Sequence, residues 1–548
     1  MSIVRSDGKE RLILQVLLLA LLILGFFIRS RNLAERSVWF DEAFSWMLAD
    51  QFSSEEMIAR TAADVHPPLY YAVLRIWIDL FGDSAFAMRM MSVLFAVLTL
   101  WGLYLLCRDC FSNEYHPSSE TTHQKSPLTS RQIGLIAVGA LAVSGYHIHW
   151  SRETRMYTLA TTLAVFTAWF LWRALESRTT LQSRLWWSLY AISTACFLYT
   201  HNYSLFTVLG EGFCALICLA WKSHWSIRNT LLTTRFWHAT AAFAFVGWAY
   251  IPWFPILLFQ KEQVQDNYWI SKITWWTIPD SWCLLIFPEN DYVVSSHLLS
   301  LLLSVTICLM VIYFLRRPTR NRIFLAVLAL TPVLCATLIS LGSVAIIVPR
   351  HFLFSYLFLL CILGGVACDL FAGYLRYGFL AWLLMNGLVI QGTYDAELDV
   401  PHRPGIRGAV EALKTKISPG DYILVKHPCI FFSVKYYLRD FSGYAPPKLY
   451  LPSGATLHFT GGPILQSKDI VGPEDVQDWQ GKTMWVFDTS GFGAASATFE
   501  IPRSWQQDES SRSTFKDVYF FQKEVFLTKC HRREHSPVNL ISGVSRTH

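Results

Sequence analysis

The chain has 548 residues, of which 53% are hydrophobic and only 16% are charged. Because a soluble domain of this size would carry more charge and shorter apolar runs, this composition predicts a polytopic α-helical membrane protein. The net charge of +6 is small and the basic residues lie in short loops, so it reflects membrane topology, and no nucleic acid partner is expected.

Long apolar runs predict about eleven membrane-spanning helices, since a span needs about 17–25 mainly apolar residues. They lie near residues 12–28, 85–106, 133–149, 157–174, 186–200, 203–221, 238–258, 296–315, 323–345, 351–371 and 378–393. Lysine and arginine concentrate in every second loop, which by the positive-inside rule places the N-terminus in the cytoplasm. The first run lacks a small-residue cleavage site, so we interpret it as an uncleaved span. The expected location is the cell membrane.

Two adjacent carboxylates, Asp41 and Glu42, follow the first span among several aromatic residues. Aromatic rings favour the membrane–water interface, whereas a carboxylate there loses hydration unless its charge is used. This pattern predicts that Asp41 is a catalytic base facing a lipid-linked substrate. A structural alternative stays open, in which Asp41 N-caps an interfacial helix from Glu42 to Asp50.

The rest of this first external segment predicts a second interfacial helix. The prolines after His66 end one helix and begin another. Apolar residues at helical spacing from Leu69 to Phe81 then form a face suited to the bilayer surface, and Gly82 ends the helix. Two surface helices flanking one loop would make a shelf for a lipid headgroup.

Further charged loops lie on the same predicted side. The turn from His147 to Tyr157 holds Glu153 and Arg155 where the topology rule disfavours positive charge, so we favour a functional role over a solvated connector. His201 and Tyr203 form a very short turn between two spans. Arg350 opens a late span, where snorkelling of its side chain is an equal alternative.

The composition changes after about residue 393, where proline, glycine and charge return. We therefore predict a transmembrane domain over 1–393, an extracytoplasmic α/β domain over 394–530 and a disordered polar tail over 531–548. The domain is expected to contain a helix over 407–416, a turn over 418–421 and strands over 422–425, 483–487 and 517–522. Whether Cys429 and Cys530 form a disulfide is left open.

These loops together offer a carboxylate that can take a proton from a hydroxyl and arginines that can hold a phosphate. This is the equipment for transfer from a phosphate-linked donor. The chain has no Asp-x-Asp motif, which a nucleotide-sugar enzyme would usually show, and no P-loop for ATP-driven transport. A divalent metal near Asp41 and Glu42 is left open, but His147 and His149 do not share a helix face.

The chain resembles the polyprenyl-phosphate-dependent GT-C glycosyltransferases. The resemblance is to the bacterial branch that is similar to protein O-mannosyltransferases and to lipid A aminoarabinose and galacturonic acid transferases. The motifs that carry it are Asp41-Glu42, His66-Pro67-Pro68-Leu69-Tyr70, the stretches 81–89 and 151–157, Pro349-Arg350-His351-Phe352, and 407–411 with 419–421. One departure is His351, where the family often has tyrosine.

The resemblance implies that Asp41 activates the acceptor hydroxyl, with Glu42 as its partner. It implies substrate-binding roles for His66, Glu153, Arg155, His201, Tyr203 and Arg350. The hypothesis is an inverting glycosyltransferase that moves a sugar from a polyprenyl phosphate to a lipid, glycan or protein hydroxyl outside the membrane. The alternatives are a lipid-linked sugar flippase, which would show mid-span charges and repeated broken helices, and a non-catalytic envelope assembly subunit.

Overall fold

The computed structural model describes residues 2–112, 128–265, 270–288, 296–452, 458–492, 499–519 and 521–533. Most of the predicted polar tail, from residue 534 onward, lies outside them. The chain forms two compact units. The first contains Met1–Arg36 and Phe44–Val400, and the second contains Ser37–Ala43 and Pro401–His548.

The first unit is helical. Its helices are α1 (Ser2–Ser30), α2 (Phe40–Asp50, which begins in the second unit), α3 (Ser54–Ala63), α4 (Leu69–Phe81), α5 (Ala85–Cys110), α6 (Thr129–Ala142), α7 (Gly145–Ser151), α8 (Tyr157–Glu176), α9 (Thr180–Leu198), α10 (Ser204–Lys222), α11 (Ile227–Leu231), α12 (Thr234–Tyr250), α13 (Phe254–Gln265), α14 (Thr277–Ile286), α15 (His297–Leu315), α16 (Arg320–Gly342), α17 (Leu353–Leu370) and α18 (Tyr374–Leu398). A short 3₁₀ turn, Pro349–Phe352, precedes α17.

Seven helices in the described ranges are long and apolar enough to cross a membrane, and the number rises to nine if each of two bent pairs counts as one span. The bent pairs are α6 with α7 and α12 with α13. Each of the eleven predicted spans falls on one of these elements or on α9 or α18. Those last two helices carry polar residues such as Gln182 and Gln391 and are not among the nine, so the count of eleven is not confirmed.

The bend of 65° between α6 and α7 positions the functional residues that follow α7. A helix end leaves carbonyl groups without helical partners. Arg29 of α1, fully buried, donates to the carbonyls of Leu141 and Ala142 at 2.9 and 2.8 Å. Its guanidinium also lies 3.0 Å from Nδ1 of His147. The break is therefore stabilised by a buried cation from another helix.

The helices after the first span follow the sequence prediction closely. Helix α4 ends at Gly82, whose φ of 81° is the positive value that glycine adopts without steric cost. Ser84 caps α5 by accepting from the N–H of Ala87. Helix α2 begins one residue earlier than the predicted cap, so Asp41 lies within its first turn rather than at the N-cap position.

The second unit is an α/β domain with a six-stranded sheet, of strand order β3-β2-β1-β4-β6-β5. The strands are β1 (Tyr422–Val425), β2 (Lys448–Tyr450), β3 (Ile470–Val471), β4 (Thr483–Thr489), β5 (Trp505–Lys516) and β6 (Glu524–Arg532), and the helices are α19 (Gly405–Lys414), α20 (Pro428–Leu438) and α21 (Pro473–Asp478). Strands β1 to β4 pair in parallel, and β6 is antiparallel to both β4 and β5. Leu424, Met484, Val486 and Trp505 contribute to its buried core.

The strand predicted over 517–522 is wrong. This stretch connects β5 to β6, because Asp517 accepts hydrogen bonds from the N–H of Tyr519 and the side chain of Gln522. Such local side-chain bonds compete with sheet pairing. Strand β6 also runs to Arg532, past the predicted start of the tail. Cys429 and Cys530 are both free thiols in the structure.

Candidate active site

A buried arginine, Arg155, joins two segments of the first unit that are distant in sequence. Its guanidinium lies 3.3 Å from Nε2 of His66 and 3.4 Å from Oγ of Ser45, to which it donates. His66 is held in turn by Asp64, whose carboxylate lies 2.8 Å from its Nδ1. Arg155 lies in the turn that connects α7 to α8. The pairing places a cation beside a partly exposed histidine.

The loop that carries His66 is fixed by backbone hydrogen bonds to the turn between α9 and α10. The N–H of Leu69 donates to the carbonyl of Tyr199 at 3.0 Å, and the amide of Asn202 donates to the carbonyl of Val65 at 2.9 Å. Pro67 and Pro68 have no N–H groups and cannot donate hydrogen bonds of their own. The bonds of Leu69 and Asn202 therefore hold the loop in position. His66 therefore lies next to the turn of His201 and Tyr203.

His201 is buried and neutral. Its Nδ1 accepts a hydrogen bond from the N–H of Tyr203 at 3.1 Å, which fixes the tautomer with the proton on Nε2. Burial, and then the nearby His66, Arg350 and Arg155, lower its pKa well below the usual 6.5. Basic side chains therefore surround the imidazole ring of His201, which itself stays neutral.

Tyr203 and Arg350 come together near the same turn. The hydroxyl of Tyr203 donates to the carbonyl of Ile346 at 2.6 Å, and its ring lies 4.1 Å from that of His351. Arg350, in the 3₁₀ turn before α17, places its guanidinium 5.4 Å from the ring centroid of Trp150 and 5.7 Å from that of Tyr157. Cation–π contacts of this kind help to hold the guanidinium in place.

Glu153 follows α7 and is fully buried. Its Oε1 lies 3.2 Å from Nε2 of His149, and Nδ1 of the same histidine lies 2.9 Å from the hydroxyl of Tyr394 on α18. Neither carboxylate oxygen has an aligned hydrogen bond within the described ranges. The backbone N–H of Arg155 donates to the carbonyl of Glu153 at 2.9 Å, so both residues share one tight turn.

Asp41 and Glu42 belong to the second unit, unlike the other candidate residues. Within that unit Trp39 stacks on Tyr519 at 4.7 Å, and Phe40 packs against Phe432 at 6.1 Å. Burial raises the pKa of the Cys429 thiol, and the negative charge of Asp41 raises it further, so the carboxylate lies near this thiol. Glu42 is fully buried.

An apolar cavity of about 480 Å³ lies in the first unit between α9, α10, α12 and α13. Leu198 and Leu205, which flank the turn of His201 and Tyr203, line it together with Phe243, Val246, Tyr250 and Phe254. The cavity is suited to an apolar chain rather than to a charged group.

The structure thus brings together His66, Arg155, His201, Tyr203 and Arg350, with Glu153 in the same turn as Arg155. Sequence reasoning missed Trp150, Tyr157, His149 and Tyr394 as contacts of these residues. The first three lie in the stretch that was singled out for its charges, so the aromatic content of that turn was the available signal. Nothing in the sequence pointed to Tyr394, since this residue lies in a helix whose composition is that of an ordinary membrane span. No group of three or more His, Cys, Asp or Glu side chains in the described ranges could hold a metal ion.

Comparison with solved structures decides the fold. ArnT from Cupriavidus metallidurans in the apo state matches with a TM-score of 0.56 and 12% identity, over 93% of this chain and 97% of that chain. The same protein bound to undecaprenyl phosphate matches with a TM-score of 0.54 at the same identity and coverage. This multi-pass membrane protein has the GT-C glycosyltransferase fold.

The sequence comparisons match a much shorter part of the chain. The family described as dolichyl-phosphate-mannose-protein mannosyltransferase matches residues 65–115 of this chain. No curated protein sequence matches it. The matched range holds the loop of His66 together with α4 and α5.

Proposed function

We propose that the protein is a glycosyltransferase that moves a sugar from a polyprenyl phosphate to an acceptor hydroxyl on the extracytoplasmic face of the cell membrane. The observation that carries the proposal is the gathering of Arg155, His66 and Arg350 around the buried His201, beside an apolar cavity. A lipid phosphate needs both a cationic site and an apolar one. The binding of undecaprenyl phosphate by ArnT, which shares the fold, supports the same donor class.

The arginines would hold the donor phosphate. A guanidinium presents a planar fork that matches two phosphate oxygens, and it keeps its charge at any working pH. As the bond from the anomeric carbon to the phosphate oxygen breaks, negative charge grows on the phosphate. Arg155 and Arg350 would stabilise that charge, which in a site shielded from water can lower the barrier by several kcal/mol. His66, whose Nε2 accepts from Arg155 while its Nδ1 donates to Asp64, would position the Arg155 guanidinium.

Asp41 would act as the general base. It accepts the proton of the acceptor hydroxyl while the hydroxyl oxygen forms a bond to the anomeric carbon, and the polyprenyl phosphate leaves with the electron pair of the broken bond. A single displacement of this kind inverts the anomeric centre. The support is the resemblance of the Asp41-Glu42 motif, which lies in the first turn of α2, to the GT-C glycosyltransferases. Glu42 would assist as a second carboxylate.

The test is transfer by an Asp41→Asn variant of the full-length protein, reconstituted with a polyprenyl-phosphate sugar and a cell-envelope acceptor fraction. The amide keeps the shape of the carboxylate but cannot take a proton, so we expect turnover to fall by at least about 100-fold with donor binding retained. Asp50→Asn, at the exposed end of the same helix, is the matched control and should transfer normally. Near-normal turnover by Asp41→Asn rules out this base.

A vesicle assay separates this proposal from a flippase. A flippase moves the intact donor between leaflets, whereas a transferase consumes it and releases the polyprenyl phosphate. An assembly subunit would do neither, and its variants in residues 401–533 would lose partner binding instead.

A further inference from the structure

The sheet of the second unit reverses its strand order between β1 and β4. Strands β1, β2 and β3 follow one another outward, whereas β4 pairs with β1 on its other side. All four strands are parallel, so their carboxyl ends lie at one edge of the sheet. In open α/β sheets a ligand binds outside the carboxyl ends of the strands, at the point where the order reverses. This topology points to the residues that follow Val425 and Thr489.

The segments that follow β1 and β4 meet through two aromatic rings. His427 comes after β1 and Phe492 comes after β4, and their rings stack with centroids 5.2 Å apart and planes 18° from parallel. His427 is buried, and its Nδ1 accepts a hydrogen bond from the N–H of Cys429 at 3.1 Å, which fixes it at the start of α20. His427 therefore supports one face of the Phe492 ring.

The segment that carries Asp41 lies at the same place in the second unit. The ring of Phe40 lies edge to face with that of Phe492, with centroids 6.4 Å apart. Burial, and then the charge of Asp41, raise the pKa of Cys429 in the first turn of α20, so the carboxylate is close to that turn. Phe40, Asp41 and Phe492 are partly exposed. We call the set of Phe40, Asp41, His427 and Phe492 the switch-point surface.

The backbone of Phe492 has an unfavourable conformation. Its φ of 62° lies in the left-handed region, which bulky side chains rarely adopt and glycine adopts without steric cost. Its N–H donates to the carbonyl of Phe521 at 2.6 Å, so the surrounding fold holds the conformation. Residues held in this way cluster at binding and active sites. A phenylalanine at this position therefore indicates that its ring has a role beyond packing.

Partly exposed apolar rings beside a carboxylate match the chemistry of a pyranose. One face of a pyranose carries C–H groups that pack on an aromatic ring, and its hydroxyls project from the rim, where a carboxylate accepts hydrogen bonds. A peptide that extends a sheet would pair with an edge strand, and the edge strands here are β3 and β5. An acyl chain offers no hydroxyl to Asp41. The switch-point surface thus favours a carbohydrate.

We propose that the switch-point surface binds the acceptor, and that the acceptor is a glycan. A pyranose ring of this glycan stacks on Phe40 and Phe492 and directs one hydroxyl to Asp41. The proposal rests on the proposed function and names the class of its acceptor. The two rings orient the hydroxyl whose proton Asp41 accepts, and they take no part in bond formation themselves.

The experiment measures saturation-transfer NMR on the purified full-length protein in lipid nanodiscs, with empty nanodiscs as the blank. The probes are the methyl pyranosides of glucose, galactose, mannose and N-acetylglucosamine, together with a serine-rich peptide. We expect at least one pyranoside to receive saturation, most strongly at the C–H protons of one ring face, because that face contacts the aromatic rings. The peptide should receive none.

Two variants assign the binding to the switch-point surface. Phe492→Leu and Phe40→Leu keep apolar bulk and remove the aromatic face, and each keeps the test valid if the other does not fold. The dissociation constant of the bound pyranoside should rise about 3- to 10-fold in each, as expected for one aromatic contact. Phe526→Leu, at a partly exposed position of β6 in the same unit, is the matched control and should bind as the wild type does.

The outcomes separate this proposal from the proposed function. If no pyranoside is saturated above the blank, or if both leucine variants bind as tightly as the wild type, the glycan site is refuted while transfer from the lipid-linked donor stands. Binding of the peptide that weakens in both variants would overturn the glycan in favour of a protein acceptor. Normal turnover by Asp41→Asn refutes the proposed base and leaves the measured pyranoside affinities as they are.

Discussion

The hydroxyl of Tyr437 accepts a hydrogen bond from the backbone N–H of Val38 at 2.6 Å, across 399 residues of sequence. Ser37 similarly accepts from the N–H of Arg407 at 3.1 Å, and Trp39 stacks on Tyr519. The segment Ser37–Ala43, which carries Asp41, is therefore packed as part of the second unit. The second unit therefore fixes the segment that contains the proposed base.

The first prediction concerns this anchor. Tyr437→Phe removes the acceptor of the Val38 N–H, which costs about 1 kcal/mol. We expect hydrogen exchange across residues 37–43 to accelerate roughly fivefold, since 1 kcal/mol is worth about that factor in a local opening equilibrium. The matched control is Tyr450→Phe, which removes a hydroxyl bonded to the carbonyl of Glu500 elsewhere in the same unit. Equal exchange in both variants would show that the Tyr437 bond does not hold the segment.

The second prediction concerns phosphate binding. Arg155→Lys keeps the charge but loses the planar fork, and a lost charge-assisted hydrogen bond is worth about 1.5–3 kcal/mol. Donor affinity should therefore fall roughly 10- to 100-fold, measured by competition with undecaprenyl phosphate. Arg173→Lys, on α8 and paired with Asp109, is the control and should bind the donor normally. An unchanged donor affinity in Arg155→Lys would place the phosphate elsewhere.

The third prediction concerns the acid sensitivity of His201. Its pKa is lowered in the folded state, so below about pH 6.5 the unfolded chain binds a proton that the folded chain does not. Folding stability should therefore decrease as the pH falls below 6.5, by up to about 1.4 kcal/mol per pH unit from this one group. Thermal unfolding between pH 7.5 and 5.5 should show a shallower decrease for His201→Gln than for the wild type. Parallel pH profiles would mean that His201 titrates alike in the folded and unfolded states.

The fourth prediction concerns the connection between β5 and β6. Burial raises the pKa of Asp517 to about 6 from the model-compound value of 3.8. The unfolded chain loses this proton at lower pH than the folded chain, so stability is lost as the pH rises from about 4 to 6. The loss amounts to about 3 kcal/mol, because each pKa unit is worth about 1.4 kcal/mol.

Hydrogen exchange in strand β6 measures this effect locally. Protection should decrease from pH 4 to pH 6 in the wild type, after correction for the intrinsic exchange rates. In Asp517→Asn the decrease should be absent, since the amide does not titrate. Glu509→Gln, at an exposed position of β5, provides the control and should keep the wild-type dependence. Protection that rises with pH in the wild type would contradict the raised pKa.

The local elements were largely predictable because their signals are local. The end of α4 at Gly82, the cap of α5 at Ser84 and strand β1 over Tyr422–Val425 each depend on residues within one or two turns of each other. The strand expected at 517–522 failed for the converse reason. Its aromatic residues have high strand propensity. The side chain of Asp517, however, closes a local turn, and residue propensities do not account for such side-chain hydrogen bonds.

The sequence by itself determined the membrane class, the helical first unit, the α/β second unit and the charged loops that supply the candidate residues. Apolar length and the spacing of polar groups set those features, and both are properties of single segments. Only the tertiary structure decided that Arg155 contacts His66, that the guanidinium of Arg350 lies near the ring of Trp150, and that Glu153 is fully buried beside His149. The first two relationships join segments far apart in the chain. They depend on how helices pack, which no single segment encodes.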